Sequence, residues 1–364
     1  MIKKLFLVFL LAAGIGLLYL VLSQQHRTKA PAPGQDDRAR SFQMETSVQQ
    51  VLEQNSLVPV LEQHHPEQKD GRTWEMFFKK FRMGPGASLA DMEQTWKNLS
   101  ASSGFKVWQS TLQDQERPRA KILDLQLGTP EFATHHLVFI QPLNPQVALI
   151  IDDMGYDGGE RTERLLNLGV TVNLSVIPGT PHGQKVAEMA YQRGDLVMLH
   201  MPMEPLAYPK EDPGPWGVYV RQGDDEIKDK VEKALAWVPH AEGFNNHMGS
   251  RATADRRVME AALSVAQQHG IFFVDSLTDS KSVAHTVAQE MKIPCAVRDV
   301  FLDDEAKEVN VEKRMAELER KAKKKGYAVA IGHPRPATVT ALEKMVPQLV
   351  KDGIEFVAVR ELVH

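Results

Sequence analysis

At 364 residues the chain has room for two domains, or for one large α/β domain with an appendage. Its 43% hydrophobic and 25% charged residues are ordinary globular values, and a net charge of −4 argues against a nucleic-acid binder, which would carry a basic footprint. The single cysteine, Cys295, excludes an intrachain disulfide and a cysteine-rich metal site.

The N-terminus is the first segment with a pattern. Lys3 and Lys4 precede an uncharged apolar run of 18 residues, Leu5 to Leu22. That length sits at the lower edge of a membrane-spanning helix and exceeds a secretory signal core of roughly 7–15 residues. The paired lysines would keep the terminus in the cytoplasm, so residues 1–22 read as an uncleaved membrane anchor, with a cleaved signal segment as the alternative. The first reading leaves an inner-membrane-anchored protein with its body in the periplasm or extracytoplasmic space. The second leaves a secreted one. Residues 23–40 mix Gln, Ala, Pro, Gly and charges without apolar periodicity and read as a linker.

Residues 41–144 carry the marks of a small α+β domain. Val48, Val51, Leu52 and Leu57 space as a short amphipathic helix, and Met92, Trp96 and Leu99 as another behind Ser88, an N-cap type. Thr73 to Met83 reads as a strand with Trp74, Met76 and Phe78 on one face, and strands follow over 105–112, 120–127 and 132–140. The pairs His64-His65 and His135-His136 fall on opposite faces of extended chain, so neither chelates as a pair. What this unit binds is not legible.

At Leu143-Asn-Pro-Gln146 the rhythm changes, and residues 145–364 form the second domain. Short apolar runs recur at 147–151, 170–177, 196–199, 243–245, 271–274, 295–302, 327–331 and 356–359. Helical periodicity fills the intervals 158–168, 184–193, 224–237, 255–269, 311–325 and 338–351. Such alternation predicts a parallel sheet, open or closed into a barrel.

The first run, Val147-Ala-Leu-Ile-Ile-Asp-Asp-Met-Gly155, ends in two adjacent carboxylates. They are either turn caps or charges in need of a partner, and a metal cation is the simplest one. Polar residues follow other strands at the same carboxyl-end rim, where parallel α/β folds collect ligands. They are His200 and Glu204, Asn245-Asn246-His247, Asp275-Ser276 and His333. Singly, each has a loop or cap role to fall back on. Together they supply the nitrogen and oxygen donors of a zinc-type site, in which three ligands with an open position mark a catalytic centre. Asp153, His200 and His247 provide such a set. Asp152 is then placed to take a proton from water, His333 to donate one to a leaving group, and Asp275 to orient or charge-stabilise a neighbouring histidine.

The motifs Ile150-Ile-Asp-Asp-Met-Gly155, Leu199-His-Met-Pro-Met-Glu-Pro205, Asn245-Asn-His-Met-Gly-Ser250, Phe273-Val-Asp-Ser276 and Ile331-Gly-His-Pro334 resemble, in order, those of the divergent polysaccharide deacetylase family. The resemblance covers about Pro145 to His364 and implies a deformed (β/α) barrel like that of carbohydrate esterases that remove N- or O-acetyl groups. It implies that Asp152 is the general base, Asp153 a metal ligand and His333 the general acid. In the better-known members a His-x-x-x-His motif supplies the remaining ligands. Here His200 matches its first position, but the second is Glu204. His247 has no ligand counterpart there, because an Arg-x-Pro-Tyr segment is expected. Glu204 or His247 therefore completes the set, and His247 is preferred because Pro202 and Pro205 hold Glu204 in an irregular loop.

The function expected is a metal-dependent hydrolase, with zinc as the divalent metal, that removes acetyl groups from a cell-envelope polysaccharide or related glycan. Trp216 and Tyr208, in the proline-rich loop after Pro205, are available to stack on sugar faces or simply to pack the loop. The alternative is a catalytically altered envelope protein that keeps the barrel as a carbohydrate-binding or scaffolding module. No nucleic-acid partner is expected. A membrane contact through the N-terminal segment is.

Overall fold

A computed structural model of the chain describes residues 35–84, 87–103, 105–116 and 118–363. The expected anchor, and the expected linker up to residue 34, lie outside the described residues. Within them no helix is long and apolar enough to cross a membrane.

The first unit comprises β1 (Gln35–Asp36), α1 (Arg38–Gln54), β2 (Leu61–Lys69), β3 (Arg72–Arg82), α2 (Leu89–Ser103), β4 (Lys106–Glu116), β5 (Arg119–Gly128) and β6 (Ala133–Pro142). Its sheet runs β1-β3-β6-β5-β4, with β2 antiparallel to β3. Two helices cover one face, burying Val48, Leu52 and Trp96 against Phe81, Leu123, Leu125 and Phe139. Two expectations need correction. Residues 35–40 of the proposed linker belong to this unit, where the buried Asp37 carboxylate is held by Arg40 and Arg72. The strand β2 was not expected at all, because an edge strand that is largely exposed and reads Leu-Glu-Gln-His-His-Pro-Glu-Gln-Lys has no apolar alternation to betray it. The histidine pairs split across the sheet as anticipated: His135 meets Glu45 on the helix side, and His136 meets Asp124 on the other.

The second unit is a curled, wholly parallel sheet with helices outside it. Its elements are β7 (Gln146–Met154), α3 (Glu160–Leu166), β8 (Asn173–Val176), α4 (Gly183–Arg193), β9 (Leu196–Met203), α5 (Asp224–Trp237), β10 (Ala241–Met248), α6 (Arg256–His269), β11 (Phe272–Asp275), α7 (Ala284–Glu290), β12 (Cys295–Val297), β13 (Val300–Phe301), α8 (Glu308–Lys325), β14 (Tyr327–Gly332), α9 (Pro336–Lys351) and β15 (Glu355–Phe356). The strand order is β12-β11-β10-β9-β8-β7-β14-β13, and β15 pairs with β7 below β8. The single strand expected over 295–302 is therefore two. They sit at opposite ends of the sheet, joined by Arg298 and Asp299, and the Asp299 backbone and carboxylate are engaged by Val329. Because residues adjacent in sequence occupy the two edges, the sheet must curl. Among the described residues no ladder joins β12 to β13, so it forms a half-barrel.

Side-chain alternation along each strand sorts residues into two apolar layers. Val147, Leu149, Ile151, Val197, Leu199, Phe244 and Phe273 face the helices. Ala148, Ile150, Leu196, Met198, Val274, Val329 and Ile331 fill the concave side, which Val357, Val359 and Leu362 close from below. Continuing the concave rows upward by two residues reaches Asp152, His200, Ser276 and His333. The parity of the strands thus delivers the rim residues to one mouth.

Candidate metal centre

Asp153 has the wrong parity to reach that mouth, and the backbone corrects it. It adopts φ +55°, in the left-handed region, at a register irregularity between β7 and β8. The concave series Ala148, Ile150, Asp152 is followed by Asp153, while Met154 returns to the helix layer. Non-glycine residues held at positive φ cost of order 1–3 kcal/mol and cluster where function requires them. Gly155 tightens the same turn: at φ +113°, a Cβ on it would lie 2.1 Å from Thr180 Oγ1.

The displaced carboxylate meets two imidazoles. Asp153 Oδ1 is 2.8 Å from His247 Nδ1 and 3.2 Å from His200 Nε2, and the two nitrogens are 3.2 Å apart. Oδ1 is buried, yet nothing among the described residues donates to it in hydrogen-bonding geometry. Three such atoms converging on one point, with the buried Oδ1 receiving no hydrogen bond, fit a shared cation. Ligand atoms on one tetrahedral zinc, with bonds of about 2.0–2.1 Å, lie about 3.3 Å from each other. Asp153, His200 and His247 are the one such group of His, Cys, Asp and Glu among the described residues.

Asp152 and His333 stand beside this triad. The buried Asp152 carboxylate accepts from Asn245 Nδ2 at 2.8 Å through Oδ1, and its Oδ2 lies 3.6 Å from His200 Nε2. His333 Nε2 is 3.8 Å from Asp153 Oδ2, and its Nδ1 is 2.8 Å from Asp303 Oδ1. Asp303 is fully buried and also accepts from the His333 backbone N–H and from Thr338. Burial pushes the Asp152 carboxyl up despite the nearby His200 and His333. Burial opposes charge on Asp153 too, but His200 and His247 hold that carboxyl far below its ordinary range. For His333, burial is outweighed by Asp303, which raises the imidazole's affinity for a proton. The two imidazoles thus stabilise charge on Asp153, while burial gives Asp152 the greater proton affinity of the two carboxylates, a separation suited to acid–base work.

One choice left open by the sequence closes toward the preferred His247, and one expectation changes. Glu204 is not among the converging donors: its carboxylate accepts from Val220 N–H and pairs with Arg251, clamping the loop that follows β9. Asp275 does not orient a site histidine. It accepts from Leu277 N–H and Ser282 Oγ, shaping its own loop, and the orienting role falls to Asp303. Asp303 follows the apolar run of 295–302 as Asp152 follows its own, a signal that was present but unread. Asn245, quoted for turn chemistry, proves to be buried and bonded to both Asp152 and His200. Trp216 packs beside Gly179 and Trp237, and Tyr208 beside Tyr219, so both lean toward loop packing.

A half-barrel of parallel strands with carboxylates and histidines at its carboxyl-end mouth defines a class, and sequence comparison specifies it. The chain belongs to the divergent polysaccharide deacetylase family, whose profile matches residues 149–363. An uncharacterized protein of Haemophilus influenzae (strain ATCC 51907 / DSM 11121 / KW20 / Rd) is 34% identical over 207 residues, spanning 57% of this chain and 73% of its own length. The uncharacterized protein YibQ of Escherichia coli (strain K12) is 32% identical over 207 residues, spanning 57% of this chain and 64% of its own. Among solved structures, the uncharacterized protein ATU2773 from Agrobacterium tumefaciens C58 shares the fold, with TM-score 0.58 and 23% identity over 60% of this chain and 89% of that one.

Proposed function

We propose that this chain is a metal-dependent hydrolase that removes acetyl groups from a cell-envelope polysaccharide or a related glycan. The observation that carries the proposal is the convergence of Asp153, His200 and His247 between a proton acceptor, Asp152, and an oriented proton donor, His333. Asp153, His200 and His247 would hold the ion, and a nitrogen–oxygen donor set of this kind favours zinc. When bound, zinc supplies Lewis-acid polarisation of a carbonyl and eases deprotonation of water near neutral pH. The chain's own residues do the rest. Asp152 Oδ2 takes the proton of the attacking water, while Asn245 keeps Oδ1 occupied. His333 Nε2 delivers a proton to the departing sugar amine or hydroxyl, and acetate is released. Asp303 keeps the other ring nitrogen committed, so that the proton leaves from the side facing the centre.

Acetate release from acetylated glycans, measured beside zinc content, tests this reading. Asp153→Asn and His200→Ala are expected to lose both the metal and the activity. Full acetate release by both variants would remove the proposed site. A wild-type chain that takes up no zinc and releases no acetate would overturn this reading and favour the second, a binding or scaffolding barrel.

The N-terminal segment is proposed to anchor the chain in the inner membrane with both sheets outside the cytoplasm. The paired lysines and the uncharged run after them support this placement. Membrane fractionation with alkaline extraction tests it, and a full-length chain found wholly in the cytoplasmic fraction would overturn it.

A further inference from the structure

Asn245 lies in the concave row of β10, one step below His247, and is fully buried, with its amide engaged on both sides. Nδ2 donates to Asp152 Oδ1 at 2.8 Å. Oδ1 accepts from Ser175 Oγ at 2.5 Å and lies 2.8 Å from His200 Nδ1. The orientation of this amide follows from its neighbours. An ionised carboxylate only accepts, so the amide NH2 must face Asp152. Oδ1 is thereby turned toward Ser175 and His200, and a carbonyl oxygen only accepts. His200 must then carry its proton on Nδ1. That leaves the Nε2 lone pair directed at the point where Asp153 Oδ1 and His247 Nδ1 converge.

We infer that Asn245 is the positioning residue that commits His200 to bind metal through Nε2, and that it ties this commitment to the placement of Asp152. Few side chains do both. A guanidinium donates to Asp152 but cannot accept from His200, and an ionised carboxylate accepts from His200 but cannot donate to Asp152. A primary amide has one group of each kind. Ser175, reaching from the neighbouring strand β8, satisfies the second lone pair of Oδ1 and holds the amide in place. The ligand and the base are therefore set by one side chain that touches neither the ion nor the substrate. Partners of this sort typically change metal affinity by about 10–100-fold when removed.

The inference rests on the metal-centre reading above but not on its acetyl chemistry, and the test separates the two. The full chain is titrated with zinc alone against a competing chelator, and the zinc-loaded protein is examined by NMR for a slowly exchanging His200 Nδ1–H. Asn245→Leu removes both functions and is expected to weaken zinc binding by about 10–100-fold and to lose that proton signal. Asn245→Asp keeps the acceptor toward His200 and is expected to stay within about threefold of wild type for zinc, with the signal retained. Its kcat for acetate release is expected to fall by about tenfold or more, with KM unchanged, because Asp152 loses a neutral donor. A folded Asn245→Leu variant that binds zinc like wild type overturns the inference. So does an Asn245→Asp variant that loses zinc, which decides the matter if the leucine variant does not fold. Wild-type chain that shows the zinc and NMR pattern but releases no acetate leaves the positioning role standing and removes the acetyl chemistry.

Discussion

An imidazole that is to hand over a proton needs one nitrogen committed and the other free, and Asp303 imposes that division on His333. The pairing is 2.8 Å long and buried, and the same carboxylate takes the His333 backbone N–H and Thr338. Asp303→Ala is expected to lower kcat by about 10²-fold while leaving zinc uptake unchanged, since Asp303 lies outside the converging donors. Steady-state kinetics on the zinc-loaded variant check this, and a parallel loss of metal would place Asp303 in the wrong role. At this scale the linear chain is informative about identity and poor about pairing. Asp152, Asp153, His200, His247 and His333 all sit where an apolar run ends, and that signature is readable. Which acid serves which histidine is not, because Asp275 and Asp303 both close apolar runs and differ in where the sheet order puts them. Asp303 stands beside His333 because β13 pairs with β14, a contact between strands separated by the whole of α8.

Elements set what the residues can reach. The β7 turn, with Asp153 at positive φ, brings two consecutive acids to one mouth, which strand alternation alone forbids. After β9, Glu204 holds both the Val220 N–H and Arg251, so the proline-rich stretch between is pinned at its base. Glu204→Ala is expected to keep full zinc stoichiometry while speeding limited proteolysis within residues 205–217. Loss of the metal instead would return Glu204 to the ligand set. The longer elements were legible because their apolar period is strong: α5 begins and ends at Asp224 and Trp237, as its pattern indicates. The elements missed include β1, two residues inside the expected linker, β2, exposed and polar, and α7, only seven residues long, where short-range pattern is too sparse to separate helix from loop.

At the scale of the molecule, the first sheet carries a polar cluster whose charge state bears on stability. Lys79, fully buried, donates to Glu45 and Glu62, and His135, stacked on Phe77, meets the other Glu45 oxygen. Burial lowers the His135 pKa below its ordinary 6.5, against the pull of Glu45. The folded state therefore binds this proton less readily than the unfolded one. Its contribution is complete above 6.5 and is lost as the pH falls below that value toward the folded pKa. The urea midpoint of the first unit is expected to fall between about pH 7 and about pH 5.5, and His135→Phe to flatten that fall. An unchanged slope in the variant would exclude His135 as its source. The two-unit layout was foreseeable from the change of rhythm at Leu143-Asn-Pro-Gln146. The topology of the first sheet, with β3 parallel to β6, was not, since nothing local encodes which distant strands become neighbours.

The joint at Arg298 and Asp299 gives the half-barrel the character of a split collar. Elsewhere along the sheet each strand is laced to the next by backbone hydrogen bonds, but among the described residues no ladder joins β12 to β13, and the gap is spanned by the chain and by Arg298, which bonds the Ser276 and Leu277 carbonyls and lies over Phe301. His200 and His247 belong to strands reached from one lip, and His333 with Asp303 to strands at the other. A small change in girth therefore alters the reach from His333 to His200 and His247. Amides of residues 295–301 are expected to exchange with deuterium well before those of β9, opposite the gap in the strand order. Equal protection would mean that the seam is closed by something other than backbone pairing.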